Sequence, residues 1–350
     1  MTILLISDDE PNAFACSLLA EELRKRGQSC VTTGALSRKK ESPLPNVKLD
    51  IQISLEALLG SDLLRKASAI GVFIKSPDDL RRFAESYRNL ANHSGDPVAP
   101  IFSGPLEVSA GDRLMEQFHK ALCCDYLLLP GDNQLQELAT ASQHWEDSTA
   151  KPKLVKTGLW FMPERPPQGS LSGNRPKEPY RLLFLAQDVI PTIHGGKAQI
   201  LRQLITWAEA SPNWTIIIQK DWSTAQNQSW IPRYKPEEWP MPDNIHFAAP
   251  GQLLTHLADC TACMTVSSTW SLTAMAWGRK AMIIGDYGIH TDQGTTSWFG
   301  CGAMNRLNHL KNLDELLELP GHNQSWLESM GWGVHDGIDR LLTAINTFKS

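Results

Sequence analysis

The stretch over residues 259–290, DCTACMTVSSTWSLTAMAWGRKAMIIGDYGIH, constrains the fold more than any other. Residues 262–266 and 281–284 are short apolar, β-leaning runs. Between them, 270–277 carries Leu272, Met275 and Ala276 at helical spacing. Gly278 stands where a helix C-terminal glycine belongs. The pattern reads strand, turn, helix, strand, loop: a βαβ unit whose two strands lie parallel. At its first corner three hydroxyls, Ser267, Ser268 and Thr269, fall in a row. One is expected to cap the helix through its side-chain oxygen. The others, with the free amides and the positive end of the helix, suit an anion such as phosphate, although serines at such a corner can serve as caps alone. The second strand runs into Gly285-Asp286-Tyr287-Gly288 at the same edge of the sheet, and open α/β sheets bind ligands along that carboxyl edge.

The same alternation runs through the chain. Residues 2–7 read as a first strand, 8–12 as an acidic loop, 13–26 as an amphipathic helix closed by Gly27, and 29–33 as a second strand. Further strands are expected at 50–53, 69–74, 98–102, 126–129 and 157–161, with helices at 62–66, 77–91, 113–122 and 133–144. Residues 162–180 turn abruptly rich in Pro, Gly and Ser and read as a linker. A second series follows: strands at 181–186, 214–219 and 245–247, helices at 198–210 and 253–259, then the opening stretch, then helical patterns at 313–318 and 334–348. Residues 222–243 are rich in Trp and Pro with little periodicity and read as an irregular excursion. The expected organisation is a Rossmann-like domain over 1–161, a linker over 162–180 and a second Rossmann-like domain over 181–350. Its last helix is free to pack on the first domain.

A chain of 350 residues is long for one core and natural for two domains. Its net charge of -5 gives no general attraction to nucleic acid or to an anionic membrane, so no nucleic-acid partner is expected and membrane association is peripheral at most. No apolar run approaches the roughly 18–20 residues that span a bilayer. The start, MTILLISDDE, reads as a strand and not a signal peptide. Seven cysteines without disulfide spacing fit reduced thiols and a cytoplasmic setting. Cys260 and Cys263 form a lone C-x-x-C with no second pair to complete a zinc site.

Polar residues in the second half collect at expected strand ends. They are Thr192, His194, Gly195, Gly196 and Lys197; Lys220; Pro250 and Gly251; Ser267, Ser268 and Thr269; and Asp286. In a parallel sheet these loops converge on one edge. Gly195 and Gly196 open a helix with unobstructed amides, while Lys197 and Lys220 supply positive charge, a set that suits a phosphorylated ligand. The spacing is not that of a Walker A loop. No metal-ligand cluster accompanies these residues, so a metal-independent phosphate site is expected. In the first half, the loop after the first strand is acidic and lacks G-x-G-x-x-G, which argues against a dinucleotide there. Asp9 and Glu10, beside Asp8, are placed to act as a general base, or to cap the helix in a solvated loop.

The segment TVSSTWSLTAMAWGRKAMIIGDYG resembles the serine-motif segment of two-domain GT-B glycosyltransferases, especially bacterial sialyltransferase- and polysialyltransferase-like enzymes. A wider pattern of ISDDEPNAFACSLL, CDYLLLPGDNQLQEL, FLAQDVIPTIHGGKAQILRQL, IIIQKDW and GDYGIHTDQGTTSWFGCGAM is similar to a family of bacterial glycosyltransferases of uncharacterised function. The resemblance implies a GT-B architecture with two Rossmann-like domains facing each other across a cleft. It implies a nucleotide-sugar donor, CMP- or UDP-linked, with Ser267, Ser268 and Thr269 on its phosphate, no further cofactor, and a glycan or glycolipid acceptor of cell-surface polysaccharide synthesis. His194 and Lys197 would then stabilise the leaving phosphate or approach the acceptor. The sialyltransferase-like enzymes carry a His-Pro pair where this chain has Gln219-Lys220-Asp221, so either Lys220 takes the place of that phosphate contact or the donor differs. Two rivals share the fold: a sugar-nucleotide epimerase, which needs more acid and base side chains than the first half offers, and a catalytically silent binding protein.

Overall fold

The computed structural model describes residues 2–36, 42, 44–142, 151–167, 179–220 and 241–348. Most of the expected linker and of the Trp-rich excursion lies outside them. The chain divides into two compact units. The first comprises Met1–Lys39, Asn46–Met162 and Glu328–Ser350, and the second comprises Lys40–Pro45 and Pro163–Leu327.

The first unit begins with β1 (Thr2–Ser7), α1 (Glu10–Lys25), β2 (Ser29–Gly34), β3 (Ile51–Gln52), α2 (Leu55–Leu59), α3 (Asp62–Arg65) and β4 (Ala69–Phe73). It continues with α4 (Pro77–Ser94), β5 (Ile101–Ser103), α5 (Asp112–Lys120), β6 (Tyr126–Leu129), α6 (Asp132–Ser142) and β7 (Lys153–Lys156). Among the described residues its sheet has seven strands in the order β3-β2-β1-β4-β5-β6-β7. Each neighbouring pair is parallel. The central strands β1 and β4 read as unbroken apolar runs because helices cover both faces of a parallel sheet. Residues 157–161, expected as a strand, are not one. The strand is the preceding Lys153–Lys156 at the sheet edge, and Leu159, Trp160 and Phe161 are buried from a loop. At the carboxyl end of β2, Gly34 has φ +151°, and a Cβ there would fall 1.8 Å from the Ser7 carbonyl oxygen. Only glycine lets the two chain ends leave the sheet so close together.

The second unit contains β8 (Tyr180–Ala186), α7 (Gly196–Ala210), β9 (Trp214–Lys220), β10 (Ile245–Phe247), α8 (Leu253–Asp259), β11 (Ala262–Thr265) and α9 (Trp270–Ala276). It continues with β12 (Lys280–Ile284), β13 (Met304–Asn305), α10 (Glu315–Glu318) and the start of α11 (Gln324–Ser329). The described strands form a parallel sheet in the order β10-β9-β8-β11-β12-β13. Its core packs Phe184, Trp207, Trp214, Met264 and Ile284 against α7 and the 307–316 segment. The Trp207 indole N–H donates to Leu310 O at 2.9 Å, so even this buried ring keeps its polar atom satisfied.

The chain then returns to the first unit. The last helix, α12 (Gly337–Asn346), buries Ile338, Leu341 and Ile345 there, and the Tyr126 hydroxyl donates to Ala344 O at 2.7 Å. No helix among the described residues is long and apolar enough to cross a membrane.

Both sheets have a topological switch point. In the first, the chain builds outward from β1 through β2 to β3 and then crosses to β4 on the other side of β1. In the second it builds from β8 through β9 to β10, then crosses to β11 on the other side of β8. Loops leaving the two strands at such a point diverge, and the crevice between them is where α/β sheets take ligands.

Candidate functional site

The switch point of the second sheet lies between the loop after β8 and the loop after β11, and one side chain ties them together. Gln187 is the first residue beyond β8. Its Oε1 accepts the Ser267 backbone N–H at 3.0 Å and the Ser267 hydroxyl at 3.3 Å. The buried Thr265 hydroxyl shares its hydrogen between Leu185 O at 3.1 Å and the same Gln187 oxygen at 3.4 Å, and accepts from Ser268 N at 3.1 Å. The turn that opens α9 is therefore held by Gln187 and Thr265, and the Trp298 indole N–H donates to Ser267 O at 3.4 Å.

The three hydroxyls of this turn are not equivalent. Ser267 and Thr269 are half-buried, whereas Ser268 is 1% exposed and its Oγ has no hydrogen-bond partner among the described residues. The expected side-chain cap is absent. Thr269 occupies the N-cap with helical backbone angles, φ -60° and ψ -24°, and makes no side-chain cap bond. A capping hydroxyl needs an extended backbone to reach the amides beyond it. The first turn closes instead through Ser268 O, which accepts Ser271 N at 3.1 Å and Ser271 Oγ at 2.6 Å.

Across the switch point, the loop after β8 leads into α7 through Gly195, whose φ of +79° is left-handed, and Gly196. A Cβ on Gly196 would stand 2.8 Å from Pro191 Cγ, so the residue has to be small for the loop to fold back over the helix start. Helix α7 has no side-chain cap. Thr192 is joined to the loop after β12: its N–H donates to Gln293 Oε1 at 3.1 Å, and Gln293 Nε2 donates to its hydroxyl. The Lys197 ammonium donates to Asp188 O. His194 is exposed at the tip.

The GDYG loop braces this arrangement. The Tyr287 hydroxyl donates to Gly196 O at 2.9 Å, and burial raises its phenol above the usual range. Asp286 Oδ2 accepts Leu307 N at 2.8 Å, holding the segment after β13. Lys220 ends β9, half-buried and paired in register with Ala186. Gly251, left-handed at φ +78°, donates its N–H to Ser42 O at 2.8 Å, so that amide is already taken.

Asp9 and Glu10 belong to the first unit, at the switch point of its own sheet. Asp9 is the N-cap of α1, its Oδ1 accepting Asn12 N at 2.9 Å, and Glu10 is the first helical residue. Their neighbour Asp8 crosses the switch point: its Oδ2 accepts Lys75 N at 2.9 Å, and its Oδ1 accepts Asn12 Nδ2 at 3.3 Å. Burial lifts the Asp8 carboxyl above its ordinary value, with the Asp9 charge adding to the rise and the Lys75 amide opposing it.

The structure thus gathers Thr192, Gly195, Gly196, Lys197, Ser267, Ser268, Thr269 and Asp286 on the loops at the carboxyl edge of the second sheet. Asp9 and Glu10 stand at the edge of the first. Sequence reasoning missed Gln187, Thr265, Tyr287 and Gln293 as parts of the site. The one available signal was a polar residue directly after the apolar run of β8. Among the described residues, no group of three His, Cys, Asp or Glu side chains is placed to hold a metal ion.

Residues 122–345 match the model of a family described as "Putative glycosyltransferase (DUF6716)". No curated protein is a match to the chain. Among solved structures, the chain is similar to one described as a "putative UDP-N-acetylglucosamine 2-epimerase from Listeria monocytogenes", at 11% identity over 99% of this chain and 96% of that one, with a TM-score of 0.63. It is also similar to the UDP-GlcNAc 2-epimerase of Methanocaldococcus jannaschii, at 14% identity over 98% and 100% of the two chains, TM-score 0.60. A third is the UDP-GlcNAc 2-epimerase of Neisseria meningitidis bound to UDP-GlcNAc, at 9% identity over 99% and 100%, TM-score 0.59. At such identities the likeness shows the fold: two parallel-sheet α/β units of the GT-B class.

Proposed function

Because the chain belongs to the family described as putative glycosyltransferases, we propose that it moves a sugar from a nucleotide-activated donor to a glycan or glycolipid acceptor. The observation that carries this reading is the switch point of the second sheet, where the Ser267–Thr269 turn and the Gly195-Gly196 loop flank one crevice position. Phosphate oxygens of the donor would be met by the Ser267 and Thr269 hydroxyls, the uncapped start of α7 and the Lys220 ammonium, without a metal ion or further cofactor. Thr192, Lys197, Gly251 and Asp286 shape the surrounding loops through the bonds described above, and Ser268 lies beneath the turn.

In the reaction, the acceptor oxygen attacks the anomeric carbon of the donor sugar as the bond from that carbon to the phosphate oxygen breaks. The departing nucleotide phosphate gains negative charge, and the donors aimed at it stabilise that charge more than they stabilise the bound substrate. His194, exposed on the adjoining loop, is assigned to the leaving phosphate. Asp9 and Glu10, with Asp8 beside them, are the assigned acceptors of the proton released by the attacking hydroxyl. The protein is assigned to the cytoplasm, in the synthesis of cell-surface polysaccharide.

UDP-GlcNAc is the first donor to test, since a similar fold carries it in the Neisseria enzyme. The full chain is titrated with UDP, CMP and GDP and their sugars while its thermal transition is followed. A ligand at a hundredfold excess over its Kd raises stability by about 2.7 kcal/mol. One nucleotide should raise the transition in the wild type and do so much less in Ser267→Ala/Thr269→Ala. Absence of a shift with every nucleotide would refute the donor site. Conversion of the sugar at C2 with no acceptor present would reassign the chain to epimerase chemistry.

A further inference from the structure

We infer that Gln187 is a positioning residue: its side-chain oxygen sets the Ser267 turn in the orientation that receives the donor phosphate. The inference rests on the donor-site reading above and deepens it. Gln187 lies one residue beyond β8, and Ser267 lies two residues beyond β11, the strands on either side of the switch point. The bond from Ser267 N to Gln187 Oε1 spans the place where the two loops part. Without it the turn would keep its bond to Thr265 and the longer one from the Trp298 indole N–H to Ser267 O at 3.4 Å, neither of which reaches the loop after β8.

Three features argue for positioning over mere filling. Two donors of one residue, the Ser267 N–H and Oγ–H, converge on a single carbonyl oxygen: the N–H bond fixes the peptide plane of the half-buried serine, and the one hydroxyl hydrogen rests on Gln187 until a phosphate oxygen takes it. Gln187 is itself 8% exposed, so the carboxamide is not free to wander. A neutral acceptor at this place is also the chemically suitable one. It satisfies the Ser267 donors in the unliganded protein without placing negative charge beside an incoming phosphate.

The arrangement in the first sheet shows that the position is a structural slot whose chemistry is chosen. Asp8 lies one residue beyond β1 and Lys75 two residues beyond β4, and the Asp8 carboxylate accepts the Lys75 N–H at 2.9 Å. The slot that holds a carboxylate at the first switch point holds a carboxamide at the second. A carboxylate would make the same bonds, so an anion is tolerated by the geometry and excluded at the second site by charge.

The test is Gln187→Glu beside Gln187→Ala and wild type, as full chains, with UDP, CMP and GDP as probes and the matching nucleosides as phosphate-free controls. Gln187→Glu preserves the acceptor, so it should fold, with a transition below that of the wild type at neutral pH, where burial penalises the ionised carboxylate, and level with it at low pH. Its affinity for the nucleoside diphosphate should fall about tenfold or more once the introduced carboxylate ionises, and recover at low pH. Nucleoside affinity should not change. The charged and ionisable side chains on the loops around the slot, Asp188, His194, Lys197, Lys220 and Asp286, are the same in both proteins, so the wild-type curve is subtracted from the variant's. Gln187→Ala should lose about tenfold in diphosphate affinity at every pH. If the wild type binds a diphosphate and both variants follow its curve, the inference is overturned while the donor site stands. Tighter binding by Gln187→Ala would overturn it too, making Gln187 an occupant that the phosphate displaces. If the wild type binds no nucleotide, the donor reading fails and this inference with it.

Discussion

Ser268→Ala is the substitution on which the reading of the turn can be tested most sharply. The Ser268 side chain is 1% exposed, and its hydroxyl has no partner among the described residues. Burying a hydroxyl without a hydrogen bond costs about 1–3 kcal/mol relative to leaving it in water. Alanine removes that cost and keeps every bond made by the residue's backbone: the N–H to Thr265 Oγ1 at 3.1 Å, and the carbonyl to Ser271 N and Oγ. The loss of one packed oxygen atom offsets part of the gain. The expected result is a stabilisation of about 0.5–1 kcal/mol, which for a unit of this size raises Tm by roughly 1–4 °C. Ser271→Ala is the contrast, because it deletes the 2.6 Å bond to Ser268 O and should cost about 0.5–1.5 kcal/mol. Calorimetry on both variants, followed by nucleotide titration of Ser268→Ala, makes the comparison. A fall in Tm for Ser268→Ala comparable to that for Ser271→Ala would show that the hydroxyl has a partner and that the described turn is wrong. A large loss of nucleotide affinity in Ser268→Ala with Tm raised would instead put the buried hydroxyl on the ligand.

Two further outcomes follow from the first unit. Gly337→Ala lies at the start of a helix, where alanine ordinarily gains about 1 kcal/mol. Here a Cβ would meet Thr157 O at 2.2 Å and Thr157 C at 2.4 Å, both backbone, so the sign should invert to a destabilisation of about 2–4 kcal/mol in urea unfolding; a more stable variant would refute the close approach. Asp8→Asn should stabilise the protein at neutral pH. Burial raises the folded carboxyl above its ordinary value of 3.8, so the folded state binds more protons than the unfolded one between those two values. Stability then falls as pH rises through that window and stays lower above it, and the advantage of asparagine should vanish below about pH 3.8. A variant advantage that does not change with pH would refute the assignment.

The fold was legible wherever a strand is covered on both faces. Strands β1, β4, β8 and β11 are built on apolar runs with polar residues only towards their ends, and those ends fall within a residue of where the sequence places them. The edge strand β7 was misplaced because its burial alternates and its ends are lysines, while the denser apolar run that follows it packs as a loop. Within the site, the hydroxyl row and the glycine pair were legible because each is local. The bonds that organise them were not. Ser267 to Gln187 spans 80 residues and Thr192 to Gln293 spans 101, and no local pattern records a partner so distant. The same limit hid the difference between Ser267 and Ser268, adjacent in sequence but one half-buried and the other fully buried.

The return of the chain to the first unit has a consequence for how the molecule is made. Residues 328–350 belong to the unit that holds β1: Leu341 of α12 is fully buried in it, and the returning segment approaches the backbone at Gly131, and through Gly337 the backbone of Thr157, too closely for a side chain on either glycine. Synthesis proceeds from the N-terminus, and domains ordinarily fold in the order they emerge from the ribosome. Here the second unit, contiguous from Pro163 to Leu327 but for one short segment, is fully synthesised before the last piece of the first unit exists. The nascent first unit must wait with the seat of α12 uncovered, and a chain stopped at Leu327 would carry a later unit that is whole and an earlier one that is not.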